Sequence, residues 1–324
     1  MISRVADHCF WLGRYLERTE ATARLLTVTR NLSLDGNLTP LQCWLPVLIV
    51  SGEEPRFVER FGVDEAGQGE AVEKDMTWSD ENPASLRRSI GAARENARSI
   101  REVISLEVWE AVNELYLWVN GRGGQGEYGS ERHAFYRHVR LACQLVSGLL
   151  RSTMLHEPPL NFIRLGKLLE RVGQTARVVD VHHHALTLVE RSNQVVETAL
   201  WLSLLRACSG FEPFMKRNQG RVTGDAVADF LVFEPLFPKS VVYGVHAAHD
   251  RFGRIRPPSE RALPGGATLE RLRALDAWLA RSAASRTPEG MHDLLTYVVD
   301  ETSGICETVG REMFGYETAT ESAQ

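Results

Sequence analysis

Cysteine is scarce in this sequence and badly placed for cross-linking. The 324 residues hold five, at 9, 43, 143, 208 and 306, and no two stand in a CxxC spacing. An odd, scattered set argues against a disulfide framework or a cysteine zinc site and suits reduced thiols in cytoplasm. Long apolar runs are missing as well, since nothing approaches the ~18 uninterrupted apolar residues of a membrane span. The opening MISRVADHCFWLGRYLER lacks the basic start, apolar run and small-residue cleavage site of a secretory leader. The expected location is therefore the cytoplasm. A basic excess is also absent. The 37 Lys and Arg face 42 Asp and Glu, a formal charge of −5, which argues against a general nucleic-acid binder.

Chemistry-bearing signatures are equally thin. No serine or cysteine stands in a GxSxG or Cys-His arrangement, so nucleophilic catalysis has no visible support. His182, His183 and His184 are consecutive, and helical neighbours point ~100° apart, so they cannot converge on one ion. His246 and His249 are spaced to share a face, but no third and fourth ligand accompany them. Neither a metal nor a cofactor is expected. The glycine-rich GRGGQGEYG follows an apparent helix and carries no lysine, unlike a phosphate loop, and reads as a surface connection.

What is abundant is helical periodicity. In 94–119, Ala97, Ile100, Ile104, Val108, Val112, Leu115 and Val119 recur at steps of three and four, the stripe of an amphipathic helix. Similar stripes run through 132–155, 160–190, 194–217, 268–284 and 289–314, with breaks at 51–83, 120–130 and 254–267. Two-residue alternation is rare, and FLVF at 230–233 is too short to demand a sheet. The expected fold class is all-α. In FLVFEPLFPKSV, Pro235 and Pro238 predict an elbow, Ser240 the cap of the next helix, and Glu234 an acid among apolar groups.

The chain also repeats itself. LGRYLERTEATAR at 12–24 and LGKLLERVGQTAR at 165–177 agree at eight of thirteen positions, 153 residues apart. WLPVLIVSGEEPRF at 44–57 resembles WLSLLRACSGFEPFM at 201–215, Pro83 and Ser85 match Pro238 and Ser240, and 93–100 corresponds loosely to 249–256. Ordered matches at a nearly constant offset predict a tandem duplication. The expected organisation is two helical halves, 1–155 and 156–324, related by a pseudo-two-fold axis and sharing one core.

On the first repeated helix Gly13, Glu17, Glu20 and Arg24 fall on one face. An antiparallel crossing of the two copies would join Glu17 to Arg177 and Glu170 to Arg24, a structural brace. The same residues also suit a ligand. Guanidinium forks bind carboxylate and phosphate, so Arg14, Arg18, Arg24, Lys167, Arg171 and Arg177 could line a groove for an acidic molecule. Glu17, Glu20 and Glu170 would then fix those arginines or receive an amine.

SRVAD…WLGRYLER with ETAR, the second LERxxxTAR, FLVFEPLFPKSV and RENAR followed by SIRE together resemble the bacterial alpha-E family over essentially the whole chain. The resemblance implies a predominantly helical protein of unassigned function, encoded beside a circularly permuted ATP-grasp ligase and a transglutaminase-like protease. Those two proteins are the implied partners, and a homo-oligomer is compatible with the same reading. The motif residues Arg94, Glu95, Asn96, Arg98 and Glu234 join the candidate site on this ground. The sequence departs from the family pattern at Gly173, opposite Glu20, which points to the N-terminal copy as the ligand-binding one. The leading expectation is a helical accessory or binding subunit acting with an amide ligase of ATP-grasp type. The alternatives are an enzyme of amide-bond or peptide metabolism using the Glu/Arg network for acid–base work, and a structural dimerisation protein.

Overall fold

The computed structural model describes residues 3–34, 38–187, 194–218, 222–257, 259–260, 262–283 and 290–316. The helices in chain order are α1 (Ser3–Leu34), α2 (Pro40–Ser51), α3 (Glu54–Phe61), α4 (Gly69–Trp78), α5 (Leu86–Ser99), α6 (Leu106–Asn120), α7 (Arg122–Ser130) and α8 (Arg132–Thr153). They continue as α9 (Pro158–Thr187), α10 (Gln194–Ala207), α11 (Phe211–Arg217), α12 (Gly224–Phe233), α13 (Val241–Ile255), α14 (Gly266–Ser282) and α15 (Met291–Val309). No strand occurs among the described residues, and the chain is all-α.

Caps written into the sequence start many of these helices. Thr39 and Gln42 form a reciprocal capping box at α2, with Pro40 in the first turn. Ser85, Ser105, Thr223 and Ser240 each accept from a backbone N–H at the start of α5, α6, α12 and α13. The expected cap at Ser240 is therefore present. FLVF closes α12, and the chain turns through Pro235 and Pro238 to reach α13.

The long helices α1 and α9 carry the repeated motif, make the most extensive contact in the molecule and occupy its centre. α5 and α8 flank α1, whereas α13 and α15 flank α9. One apolar core runs from Phe10 to Val309, and a smaller one lies where the start of α1 meets α5, α6 and α8. The seam between α1 and α9 depends on glycine. A Cβ added at Gly13 would overlap the Ile163 carbonyl, and one at Gly166 would overlap that of Phe10. Only hydrogen at these two positions permits such backbone approach.

The direction of this crossing corrects the antiparallel expectation. Arg14–Glu170, Arg18–Glu170 and Glu17–Arg171 are separated by 156, 152 and 154 residues. Contacts away from the crossing give its sense. Val5 and Ala6 of α1 cluster with Leu160 and Phe162 of α9 at one end. Leu25, Thr29 and Leu32 line one cavity with Asp180, Val181 and His182 at the other, so the helices run the same way. Like then faces like, and Glu17 meets residues level with itself.

Four segments also depart from the periodicity reading. The 94–119 stripe is two helices, because the chain turns after Ser99 and Ser105 caps a new start. The 120–130 stretch is helix α7, whose Gly124 lies against the Val119 backbone and whose Gly123 lies against the Trp118 ring. The 51–83 break contains α3 and α4. The 194–217 stripe is interrupted after Ala207, where Ser209 adopts a positive φ of 56°. The later break at 254–267 lies where expected, between α13 and α14.

Candidate functional site

The α1–α9 seam turns its acids and bases inward. Glu17, 2% exposed, accepts from Arg171 Nε at 2.6 Å and Nη2 at 2.8 Å, with Lys167 Nζ at 3.5 Å. Glu170, 4% exposed, accepts from Arg14 Nε at 2.8 Å, and from Arg18 Nε at 2.7 Å and Nη2 at 3.1 Å. Each glutamate is thus held by bases of the opposite helix, in forked contacts that fix both partners. The expected Glu17–Arg177 and Glu170–Arg24 pairs do not form. With the helices parallel, Arg177 lies six residues beyond Arg171, about 9 Å further along the axis.

Burial would push both carboxyls up, but the arginines outweigh it. Glu170 is held at about 2 by Arg18 and Arg14, and Glu17 lies well below the carboxylate range through Arg171 and Lys167. Arg24 instead bonds Glu20 on its own helix at 3.0 Å. Glu20 also takes Lys239 at 3.2 Å and Gln144 at 3.4 Å. Burial and Glu17 push Glu20 up, and Lys239, Lys167 and Arg24 bring it below its ordinary value.

Next to these pairs is a cavity of about 190 Å³, walled by α1 and α9 and by residues as far apart as Glu53, Pro83, Cys208 and Lys239. Arg177 lines it without an ion pair among the described residues, and its Nε is buried with no hydrogen-bond acceptor. The cause is one residue. Arg24 finds Glu20 one turn back, whereas one turn back from Arg177 is Gly173, over which the guanidinium lies. Burial lowers the Arg177 pKa, as do the neighbouring Arg18 and Arg14, against the pull of Glu170. Glu53 behaves oppositely to the other acids here: burial raises it, although Arg56 stands at 3.3 Å. The Cys208 thiol on the same wall is pushed up to about 12 by burial, far from a thiolate.

Several candidates lie elsewhere. Arg94 bonds Asn113 and Glu95 and covers the Tyr116 ring, Arg98 pairs with Glu95, and Asn96 ties His8 of α1 to α5. The RENAR segment thus braces α5 and does not reach the cavity. Glu234 accepts from Arg217 and from the Leu236 N–H, also away from it. His246 and His249 share one carboxylate, Asp276, and His182 bonds the Val178 carbonyl. The side chains of His183 and His184 lie outside the described residues. Among the described residues no group of three or more potential metal ligands is gathered. Nor is any described helix long and apolar enough to cross a membrane.

Sequence reasoning missed Glu53, Gln174 and Lys239. Gln174 sits inside the repeated motif and bonds Glu170 at 3.1 Å. Glu53 and Lys239 sit in two of the other three repeated segments, so the repeat itself was the signal that could have found them.

Comparison with known proteins agrees with this architecture. The model of the Alpha-E family, described as a predicted alpha-helical domain with a conserved ER motif, matches residues 1–314. The Glu17-Arg18 and Glu170-Arg171 dipeptides are the ER pairs at the seam. Uncharacterised proteins of Mycobacterium bovis and of two strains of Mycobacterium tuberculosis are 26% identical over 307 residues. The match covers 90% of this chain but only 31% of each relative, so it spans about a third of their length. No solved structure matches.

Proposed function

This chain belongs to the Alpha-E family, and from that premise we propose that it is a binding subunit for a small acidic ligand. The unpaired guanidinium of Arg177 in the seam cavity carries this reading. Arg177 is half-buried, and its buried Nε without an acceptor costs stability; an incoming carboxylate would supply that acceptor in a forked contact. Ion pairs with Glu17, Glu20 and Glu170 hold Arg171, Lys239 and Arg18 in place, and among the described residues lining the cavity Arg177 is the cation left without an ion pair. The resemblance pointed to the N-terminal copy; the geometry favours the second, because Gly173 removed its internal acid. A cavity of about 190 Å³ is below the ~300 Å³ at which drug-sized ligands begin, which suits a small acid or the acidic end of a longer molecule.

The partner in this proposal is an ATP-grasp-type amide ligase, with a transglutaminase-like protease as a further associate. The mycobacterial relatives support a cooperating role, because in them the matched region is one part of a longer polypeptide. The proposal includes the tandem origin of the two halves. A second reading, acid–base catalysis on amide-bond substrates, draws on one observation: environment pushes Glu53 up and Glu17 and Glu170 down around a single cavity.

The test is calorimetric titration with glutamate, aspartate and succinate, paired with ATP turnover by the neighbouring ligase. Wild type should bind at least one acid, and Arg177→Met should lose at least tenfold in affinity and lower ligase turnover while staying folded. Equal binding by wild type and variant would overturn the reading. A chain that turns over an amide substrate alone, and stops when Glu53 becomes Gln, would favour the second.

A further inference from the structure

A separate groove of about 510 Å³ lies outside the central seam, between α8, α9 and α13. Arg151, Arg164, Lys167, Arg171, Arg251 and Arg254 line it, and among the described residues no acidic side chain does. Glu17, behind the groove, engages Arg171 and Lys167, and Asp250 at its rim stands 3.2 Å from Arg254 and 3.9 Å from Arg251. Arg164 and Arg151 have no ion-pair partner among the described residues. The charge is therefore under-compensated where the walls converge. Burial lowers the pKa of Arg164, and Arg251, Arg151 and Arg254 lower it further.

The matched groove on the other flank behaves differently. It is lined by Arg18, Arg87 and Arg88, but also by Asp80, which pairs with Arg87 at 3.4 Å. Arg88 reaches the Asp80 carbonyl as well. One flank thus pairs Arg18 and Arg87 with acids, whereas the other leaves Arg151 and Arg164 without one among the described residues.

We propose that the groove between α8, α9 and α13 binds a compact multivalent oxyanion, a small molecule carrying adjacent phosphoryl or carboxylate groups. Guanidinium forks converging from three helices suit several oxygens at once, and a ligand of opposite charge relieves their mutual repulsion. The low-dielectric walls focus that field into the groove, which draws in anions and makes their binding sensitive to salt. This site differs from the seam cavity, with Arg171 the residue common to both.

Calorimetry of the full chain with two probes, inorganic tripolyphosphate and citrate, tests the proposal. One-site binding is expected, weakening as salt rises. Arg164→Gln with Arg251→Gln should reduce it at least tenfold, while Arg273→Gln, an exposed charge on α14, leaves it unchanged. Tighter tripolyphosphate assigns phosphoryl groups; tighter citrate assigns a polycarboxylate; either supports the site. Circular dichroism checks the fold of each variant. If the double variant misfolds, Arg254→Gln, whose side chain is 56% exposed, replaces it with a smaller loss expected. Binding of neither probe, or equal loss in Arg273→Gln, overturns the proposal.

Discussion

Glu170 accepts hydrogen bonds from two arginines of another helix, so its protonation reports on the seam. Its carboxyl lies at about 2 in the folded chain against an ordinary 4.5. A depressed acid binds its proton more tightly when unfolded, so its stabilisation is complete above about pH 4.5 and disappears as pH falls toward about 2. A shift of this size corresponds to on the order of 3 kcal/mol. Glu17 is lowered in the same way and loses its contribution over the same descent and below it. The thermal midpoint should therefore fall steeply below about pH 4.5, and Glu170→Gln should flatten part of that fall. A midpoint level between pH 5 and pH 3 would contradict this account. The pair also predicts its own rescue. Glu170→Leu leaves Arg14 and Arg18 unpaired and should cost about 3 kcal/mol. Adding Arg14→Met and Arg18→Met should restore most of it, as urea unfolding of the single and triple variants would show.

Among elements, α1 and α9 define what else can pack, and two glycines define them. Gly13→Ala or Gly166→Ala sets a methyl against the carbonyl of a neighbouring helix. Neither backbone can move without opening the seam, so each change should cost about 3 kcal/mol or more, the upper end of overpacking. Gly148, inside α8, has nothing among the described residues within 4 Å of an added Cβ. There Gly148→Ala should stabilise by roughly 0.5–1 kcal/mol. Thermal unfolding that ranked these glycines alike would remove the seam's special status. Much of this was legible in the sequence. The repeat marked Gly13 and Gly166 as equivalent, and apolar periodicity located most of the long helices. The direction of crossing was not legible, because a face shared by Gly13 and Glu17 looks the same in either sense; only residue pairing across the seam distinguishes them. The break inside 94–119 escaped because Ile100 and Ile104 keep the apolar step while the backbone turns, with Ser105 as the small signal. Helix α7 escaped because its glycines are weak formers held by contact with α6. In the site, the motif named the glutamates and arginines but assigned their partners wrongly. Glu53 and Lys239 reach the cavity only through tertiary packing.

For the whole molecule, the mixed parentage of the core decides how it unfolds. The main cluster joins Phe10 and Leu26 of α1 to Leu165 and Val172 of α9, and extends to Val309. Residues 1–155 alone would leave the α9-facing side of α1 open, with Glu17 buried nowhere and Arg14 and Arg18 without Glu170. That face would lose the apolar burial against Leu165 and Val172 as well as its ion pairs, so too little gain remains to order the fragment. Neither 1–155 nor 156–324 should then unfold cooperatively by itself, whereas the two mixed together should regain helicity and a melting transition. The intact chain should show one transition, with far-ultraviolet circular dichroism and tryptophan fluorescence coinciding in urea. Trp44 and Trp201 are both buried in the main core and report from opposite halves of the sequence. Two separated fluorescence transitions, or a cooperative melt of either fragment alone, would mean that the seam joins two independently stable units. The α1–α9 ion pairs would then be contacts between finished domains, and the seam cavity could open without unfolding either one.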